Sequence, residues 1–542
     1  MIYKILFANI LIVLSFVIYY SSNVMFMDDW GTPGNIIYSY LSNNLNLNEF
    51  WEQHNESRLV VFKIICVILI YFDIYEPIIF VVLKILLTFA LVIVICKSYP
   101  NRKHRKYLFV ILLTVALLPA QSYALLFGIT WLNTLVPLIM AICIKIYFFE
   151  FKNKNIKYIL LIALCTISTL TYANGMVLWF ILNPLIFNLV LRDSEKVRVL
   201  GVVLFNIIAF IFISIYFSNY NHPSNHPSII DGLKDLPRSL HFLAILTWSP
   251  FIISLKNFHV APILLYVSLL YLLYISRNHF IDIFKKRYIT QFEAQSFAFI
   301  VYGFATLLVV SLGRSQFGLK TAIEMPHYPG ISIFFHIGIF SIFFYFGNFF
   351  NSKLKSIFIS FITLTIIINF QHTHNLFNSY ANQFRTAKLA LNYLELIPDN
   401  PFLLVCHHRP DLDILPKYKL FEANRIIESI DYSKFRFSDS NSSFGKFHYR
   451  NDDKTLYFSG FANCPFGNHI EHIILLVNEN EINSAFCTLT FNLETNIKGV
   501  FSKKNSFSFD HFIDYSCNHT ELFAYAVDTK ANMLFPIEHI KN

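Results

Sequence analysis

Residues 77–96 read PIIFVVLKILLTFALVIVIC, twenty residues in which Lys84 is the one charged side chain. A helix needs about 20 mostly apolar residues to cross the ~30 Å hydrocarbon core of a membrane. This run therefore predicts a transmembrane helix. A charge at mid-bilayer costs about 2.5–3.5 kcal/mol on the insertion scale, which makes Lys84 a functional-site candidate. Because Lys84 lies toward the outer end of the run, we favour a side chain that snorkels to the interface.

Similar apolar runs recur up to residue 370 and predict about eleven spans. They lie near residues 5–22, 77–96, 107–120, 131–149, 157–173, 175–191, 199–217, 258–276, 294–312, 331–349 and 355–370. The first run lacks a small-residue cleavage site, so we interpret it as a retained anchor. Residues 59–72 and 240–254 are also apolar. For residues 59–72 we prefer a helix that lies in or re-enters the outer leaflet, because a full crossing there would move every later loop to the opposite side of the membrane.

Composition supports the membrane class and locates the charge. Of the 542 residues 55% are hydrophobic and 14% are charged, which excludes a set of ordinary soluble domains. The net charge of +9 divides into +12 for residues 1–370 and −3 for residues 371–542. Since the excess positive charge belongs to the apolar part, it gives no support for nucleic-acid binding.

Basic residues in the short loops predict the orientation. One set of alternate loops holds 17 Lys and Arg residues, whereas the other set, which includes loops 23–58, 218–257 and 313–330, holds 6. Short cytoplasmic loops are the ones enriched in Lys and Arg. We therefore expect a cytoplasmic N-terminus, with these three loops and residues 371–542 on the outer face, which is the periplasm in a bacterium.

The pattern changes after residue 371. Residues 371–400 predict a helical connector, and residues 401–542 show short alternating strands typical of a β-sandwich-like domain. The predicted fold class is thus a polytopic α-helical membrane protein with a C-terminal, periplasmic, mainly-β domain. Four cysteines in that domain permit three pairings, and we expect at least one disulfide. They are Cys406, Cys464, Cys487 and Cys517.

Outer loop 23–58 carries the first candidate chemistry. Asp28 and Asp29 follow the first apolar run, and Glu56 and Arg58 precede the next apolar segment. A partly desolvated carboxylate at the membrane surface can act as a general base toward a hydroxyl, and an arginine can hold a phosphate bidentately. The alternative is that these are ordinary loop residues that help to end a helix.

Outer loop 313–330 is basic and rich in glycine. Arg314, Lys320 and His327 suit an anionic head group, and the glycines allow close backbone approach. The alternative is a turn flanked by basic residues. The tandem Asn-His-Pro-Ser at residues 221–228 gives little support for a metal site, because it supplies neither cysteine nor a helical histidine pair.

The order of these features resembles the GT-C class of membrane glycosyltransferases, and within it the bacterial O-antigen-modifying glucosyltransferases. Those proteins carry a His-Asn-Glu-His-Arg loop, which here is His54-Asn55-Glu56-Ser57-Arg58, with Ser57 in place of the second histidine. Relatives often show Ser-Arg-Tyr where this chain has Pro326-His327-Tyr328. Residues 456–462 are similar to the Ser-Gly-Trp-Ala strand of a small β-domain attached to some of these proteins.

The resemblance implies inverting transfer of a sugar, with glucose the leading candidate, from undecaprenyl phosphate to a lipopolysaccharide O-antigen or another surface glycan. Asp28 or Asp29 would be the base, and Arg314, Lys320 and Arg58 would stabilise the leaving phosphate. Glu56 would position the acceptor or Arg58. The implied partners are the polyprenyl-phosphate sugar donor, the glycan acceptor and membrane lipid, and a divalent cation stays open as a cofactor. A lipid-linked glycan flippase, an O-antigen polymerase and a purely structural membrane protein are the alternatives.

Overall fold

The computed structural model describes most of the chain up to residue 346 and separate stretches beyond it. The described ranges are 2–26, 28–151, 154–192, 196–223, 226–252, 261–270, 289–324, 328–346 and 414–427, a few helical residues between 374 and 384, and the backbone of eight strands between 436 and 539. His327, Cys406, Cys464, Cys517 and the predicted span near 355–370 lie outside the described residues. The disulfide prediction therefore also lies outside them.

The described part is predominantly helical. The helices are α1 (Ile2–Tyr20), α2 (Asn35–Leu41), α3 (Leu47–Trp51), α4 (Val60–Tyr71), α5 (Pro77–Ser98), α6 (Arg105–Ala116), α7 (Ser122–Leu126), α8 (Leu132–Phe148), α9 (Lys154–Thr171), α10 (Val177–Arg192), α11 (Lys196–Phe217), α12 (Ile229–Lys234), α13 (Leu236–Ile252), α14 (Ala261–Leu270), α15 (Gln291–Arg314), α16 (Thr321–Glu324), α17 (Tyr328–Phe346) and α18 (Ile414–Ala423). A π-helical turn covers Trp30–Gly34, and short 3₁₀ turns cover Arg102–His104, Pro119–Gln121, Gly128–Trp131, Ala173–Met176 and Ser315–Phe317.

Five helices of the described residues are long and apolar enough to cross a membrane. They are Pro77–Ser98, Gly128–Phe148, Leu200–Phe217, Gln291–Phe317 and Tyr328–Tyr345. The apolar stretches in the other described helices are shorter; in α1 the stretch is Leu6–Tyr20. Helix α4 has 12 residues, which at 1.5 Å per residue is about 18 Å and less than the hydrocarbon thickness. The count of about eleven spans stays a prediction.

Local sequence explains where α15 begins. Thr290 and Glu293 form a capping box, in which Thr290 Oγ1 accepts from the Glu293 N–H at 3.3 Å and Glu293 Oε2 accepts from the Thr290 N–H at 2.7 Å. The helix then runs for 24 residues, about 36 Å, and Arg314 is its last residue. The capping box therefore marks one end of α15, and the candidate site residue Arg314 lies at the other.

Backbone contacts divide the chain into two compact units. The first unit comprises Met1–Ser21, Asn46–Ile68 and Ile78–Phe377, and the second comprises Ser22–Leu45, Leu69–Pro77 and Asn378–Asn542. Within the first unit α15 and α17 pack closely at glycines. A Cβ on Gly303 would lie 2.5 Å from the Phe335 nitrogen, and one on Gly338 would lie 2.7 Å from the Ile300 nitrogen. The absence of side chains at these two positions is what allows the helices to approach.

The second unit contains the strands. They are β1 (Arg436–Phe437), β2 (Gly445–Asp452), β3 (Thr455–Asn463), β4 (His472–Val477), β5 (Asn483–Cys487), β6 (Ser506–Asp514), β7 (Leu522–Asp528) and β8 (Met533–His539). They pair in the order β5-β4-β7-β8-β2-β3-β6, and β1 pairs with β8. The β2–β8 and β1–β8 pairs are parallel and the others antiparallel. The packing of this sheet into a sandwich stays a prediction.

Candidate functional site

Glu56 lies in a tight turn of the first unit. The turn is closed by two backbone hydrogen bonds, from the His54 N–H to the Ser57 carbonyl at 2.6 Å and from the Ser57 N–H to the His54 carbonyl at 2.9 Å. Asn55 takes φ 48°, a left-handed conformation that asparagine tolerates better than most residues. Ser57 accepts a hydrogen bond from the Ala173 N–H at 3.3 Å.

Arg58 anchors this turn to the C-terminal end of α11 and the residue after it. Its Nε donates to the Tyr216 carbonyl at 2.8 Å, and its Nη1 and Nη2 donate to the Trp51 and Ser218 carbonyls at 2.6 Å each. The guanidinium also lies 4.9 Å from the centre of the Trp51 ring, and the residue is 3% exposed. A buried arginine whose nitrogens are bound to carbonyls holds backbone in place. The geometry thus gives Arg58 a positioning role, and it gives no support to the predicted phosphate contact.

Glu56 joins the two loops that the sequence singled out, 23–58 and 313–330. Its Oε1 accepts a short hydrogen bond from Arg314 Nη2, across a separation of 258 residues, and lies 2.7 Å from His226 Nδ1. The side chains of Arg314 and His226 are each 15% exposed, whereas that of Glu56 is 42% exposed. We name these three residues, Glu56, His226 and Arg314, the ionic cluster.

The charges of the ionic cluster shift the pKa values of its members. Burial alone would raise the pKa of Glu56, but the charges of Arg314 and His226 outweigh burial and hold that pKa below its ordinary value. Burial lowers the pKa of His226, and Arg314 adds to that effect while Glu56 opposes it. Tyr220 and Tyr328 also lie within electrostatic reach of Arg314. Arg314 is therefore a cation paired with an ionised carboxylate and near two phenols. The guanidinium and the phenols can donate hydrogen bonds and the carboxylate accepts them, a combination that suits a polyhydroxyl ligand.

Packing beneath the second loop fixes the position of Arg314. Ser239 and Ser315 share a hydrogen bond of 2.8 Å between their hydroxyls, and Ser311 donates to the Ser239 carbonyl. A Cβ on Gly232 would lie 2.0 Å from the Leu312 carbonyl oxygen, so glycine lets α12 lie directly against the end of α15. These contacts place the arginine at the start of the loop.

The other predicted residues of this loop are not part of the ionic cluster as described. Lys320 is exposed, and no ion pair involving it is present among the described residues. His327 lies outside the described residues. The cation contributed by this loop is thus Arg314, whose guanidinium also lies 5.9 Å from the Phe317 ring centre.

Sequence reasoning missed His226. The tandem Asn-His-Pro-Ser drew attention to residues 221–228 as a weak metal motif, but nothing local pointed to Glu56. A second contact holds residues 221–228 near the turn that contains Glu56. Gln53 Nε2 donates to the Asn221 carbonyl at 2.6 Å, and the Asn221 N–H donates to Gln53 Oε1 at 3.1 Å. The sequence therefore showed both the repeat at residues 221–228 and the acidic loop 23–58, but it gave no indication that they meet.

Asp28 and Asp29 lie in the second unit, directly before the π-helical turn. Asp29 is 5% exposed, and its Oδ2 accepts from the Phe26 N–H at 3.1 Å. Burial raises the pKa of Asp29 to about 8; the hydrogen bond from Phe26 opposes this shift, and the charge of Asp28 adds to it. Asp28 itself is half-buried. Asp29 thus stays largely protonated at neutral pH.

Aromatic and polar contacts hold this carboxyl segment within the second unit. The Phe26 and Phe384 ring centres lie 4.5 Å apart, and those of Trp30 and Phe421 lie 5.5 Å apart. Lys417 Nζ donates to Asn35 Oδ1 at 2.8 Å. Segment 22–45 therefore packs against residues from beyond position 378, which the sequence-based boundary at residue 370 did not anticipate.

No group of three or more His, Cys, Asp or Glu side chains suited to a metal ion occurs among the described residues. In comparisons with known proteins, no family model, curated protein or solved structure matches this chain.

Proposed function

We propose that this chain is a membrane glycosyltransferase of the GT-C type, which transfers a sugar with inversion from a polyprenyl phosphate to a surface glycan. The eleven-span topology, the cytoplasmic N-terminus, the bacterial inner-membrane location and the outward β-sandwich domain belong to this proposal. The observation that carries it is Asp29, a buried carboxyl with a pKa of about 8 in the segment that follows the first apolar helix, which ends at Tyr20. A carboxyl whose pKa lies near the working pH has the basicity that a general base needs.

In the proposed reaction the acceptor hydroxyl attacks the anomeric carbon of the donor sugar, and its proton passes to the Asp29 carboxylate. The new bond joins the acceptor oxygen to that carbon, while the bond from the carbon to the phosphate oxygen breaks and the lipid phosphate leaves with its electron pair. The leaving phosphate gains negative charge, which a fixed cation stabilises.

The test replaces Asp28 and Asp29 by Asn, singly and together, in cells that make normal amounts of each variant. The exposed Asp231→Asn variant is the matched control. We expect Asp29→Asn and the double variant to lose the sugar side group from the surface glycan, as detected by mass spectrometry and NMR, with glycan chain length unchanged. Unaltered glycan in all three variants would contradict the assignment. Shortened chains would instead indicate a polymerase.

A further inference from the structure

Helix α12 and the first turn of α13 carry exposed apolar side chains. We name them the apolar stripe, and its members are Ile229, Ile230, Leu233, Leu236 and Leu240, each between 44% and 63% exposed. Four of them, at positions 229, 233, 236 and 240, follow at intervals of four, three and four residues, which is the spacing of one helix face. Exposed apolar patches of this kind mark contacts with proteins or with membranes. Loop 218–257, which the sequence assigns to the outer face, therefore contains a surface that is unsuited to bulk water.

Another side of the same segment is packed against α15. Gly232 and Ser239 are buried, seven positions apart. Gly232 lies directly against the Leu312 carbonyl, where a Cβ would come within 2.0 Å of the oxygen, and the Ser239 hydroxyl shares a hydrogen bond with that of Ser315. The segment is thus fixed on α15 by its small residues, while the apolar stripe stays exposed.

The contact with α15 determines the depth of the apolar stripe. Helix α15 is about 36 Å long, more than the ~30 Å hydrocarbon core, so when it crosses a membrane its ends reach the interfaces. Leu312, which Gly232 contacts, is the third residue from the end of α15. Helix α11, which precedes the segment, is also long and apolar enough to cross, and it ends at Phe217. The apolar stripe therefore lies where the hydrocarbon core meets the head groups.

The charges beside the apolar stripe cancel. Residues 229–240 contain two acids, Asp231 and Asp235, and two bases, Lys234 and Arg238. Surface helices that are held by anionic lipids are instead rich in Lys and Arg on their polar face. Burial of apolar area is thus the driving force that this segment offers to a membrane.

We propose that residues 229–240 form an interfacial segment, whose apolar stripe inserts among the acyl chains at the membrane surface without regard to head-group charge. The proposal rests on the membrane location of α15 and is independent of the glycosyl transfer proposed above. It has a consequence for the ionic cluster. His226 lies two residues before the N-cap Ser228 of α12, and Arg314 lies two residues after Leu312, so the interfacial segment holds both at the membrane surface.

The experiment uses p-benzoylphenylalanine, a photoreactive amino acid that forms a covalent adduct with a neighbouring C–H group. It is placed singly at Ile229, Leu233, Asp231 or Phe210 of the full-length protein, which is reconstituted into phosphatidylcholine vesicles. All four positions are at the surface, so the larger side chain can be accommodated. Asp231 is the matched control, because it is exposed on the same helix about 200° around the axis from Ile229. Phe210 is the positive control, because it is exposed within the candidate span Leu200–Phe217.

After irradiation, mass spectrometry of the digested protein identifies the adducts. We expect lipid adducts at Ile229 and Leu233 that are at least about tenfold more abundant than at Asp231, and equally abundant in vesicles that also contain phosphatidylglycerol. Adducts at Phe210 without adducts at Ile229 and Leu233 would overturn the proposal. So would adducts that require phosphatidylglycerol, or adducts that join Ile229 and Leu233 to a second copy or to another part of this chain. Absence of lipid adducts at all positions, Phe210 included, would overturn the membrane location on which the proposal rests.

A second measurement tests the same contact without a bulky probe. In the vesicles, Ile229→Asn combined with Leu233→Asn should raise backbone hydrogen exchange in residues 229–240 about tenfold, because the segment loses its apolar anchor. Lys234→Asn, an exposed polar position of the same helix, should leave the exchange unchanged. Equal exchange in the double variant and the unaltered protein would show that the contacts with α15 alone hold the segment, and would overturn the proposal.

Discussion

The protonation of Asp29 is the property on which the proposed chemistry depends, and it can be measured without knowing the substrate. Asp29→Asn removes the carboxyl with little change in shape. Asp28→Asn removes a neighbouring negative charge that raises the pKa of Asp29. The two substitutions should therefore act differently, the first abolishing a titration and the second moving it to lower pH.

The magnitude follows from the pKa of about 8 that burial gives Asp29. At pH 7 roughly one molecule in ten carries the carboxylate, at pH 8 about half do, and at pH 9 about nine in ten do. A base must be deprotonated to accept a proton, so the transfer rate should rise about tenfold between pH 7 and pH 9, with a midpoint near the pKa. An aspartate in water, with a pKa near 4, would give a flat profile over this range.

Difference infrared spectroscopy of the purified protein reports the protonated carboxyl directly. We expect a carboxyl band that disappears with a midpoint near pH 8, that is absent in Asp29→Asn, and that disappears at lower pH in Asp28→Asn. Asp231→Asn is the control, since a hydrogen bond from Ser228 lowers the pKa of that exposed aspartate and it carries no proton at neutral pH. A band that survives in Asp29→Asn, or a midpoint that Asp28→Asn leaves unchanged, would refute the reasoning.

Two further predictions concern the support of the ionic cluster. Arg58→Met should lower the free energy of unfolding by about 3 kcal/mol, because three carbonyls lose their donor. The control Lys320→Met, on the exposed loop, should change it by less than about 0.5 kcal/mol. Thermal unfolding in detergent measures both variants. Gly232→Ala should lower the unfolding temperature, because the new Cβ would lie 2.0 Å from the Leu312 carbonyl oxygen. The control Gly313→Ala should leave the unfolding temperature unchanged, because no atom lies within 4 Å of its new Cβ. Equal unfolding temperatures for either pair would show that these contacts do not hold the site.

The apolar runs were readable from the sequence because each reflects a local property. A helix in a membrane satisfies its own backbone hydrogen bonds and exposes apolar side chains, so its signal lies within about 20 consecutive residues. Helices α5, α15 and α17 follow the predicted runs to within a few residues. The predicted run near 107–120 differs, since α6 ends at Ala116 and buried short turns follow. Such turns depend on Lys84 and Thr130, whose contacts with Ala124 no periodicity reveals.

The sequence by itself determined that this is a membrane protein and that an acidic loop and a basic loop carry its candidate chemistry, because composition and hydropathy are properties of consecutive residues. Only the tertiary structure decided which of those residues meet. It joined Glu56 to Arg314 across 258 positions, brought in His226, and bound Arg58 to carbonyls. It also buried Lys84 inside the protein, where the side chain does not snorkel to the interface. The reason is that partners distant in sequence are chosen by packing and by the need to pair buried polar groups, and neither leaves a local pattern.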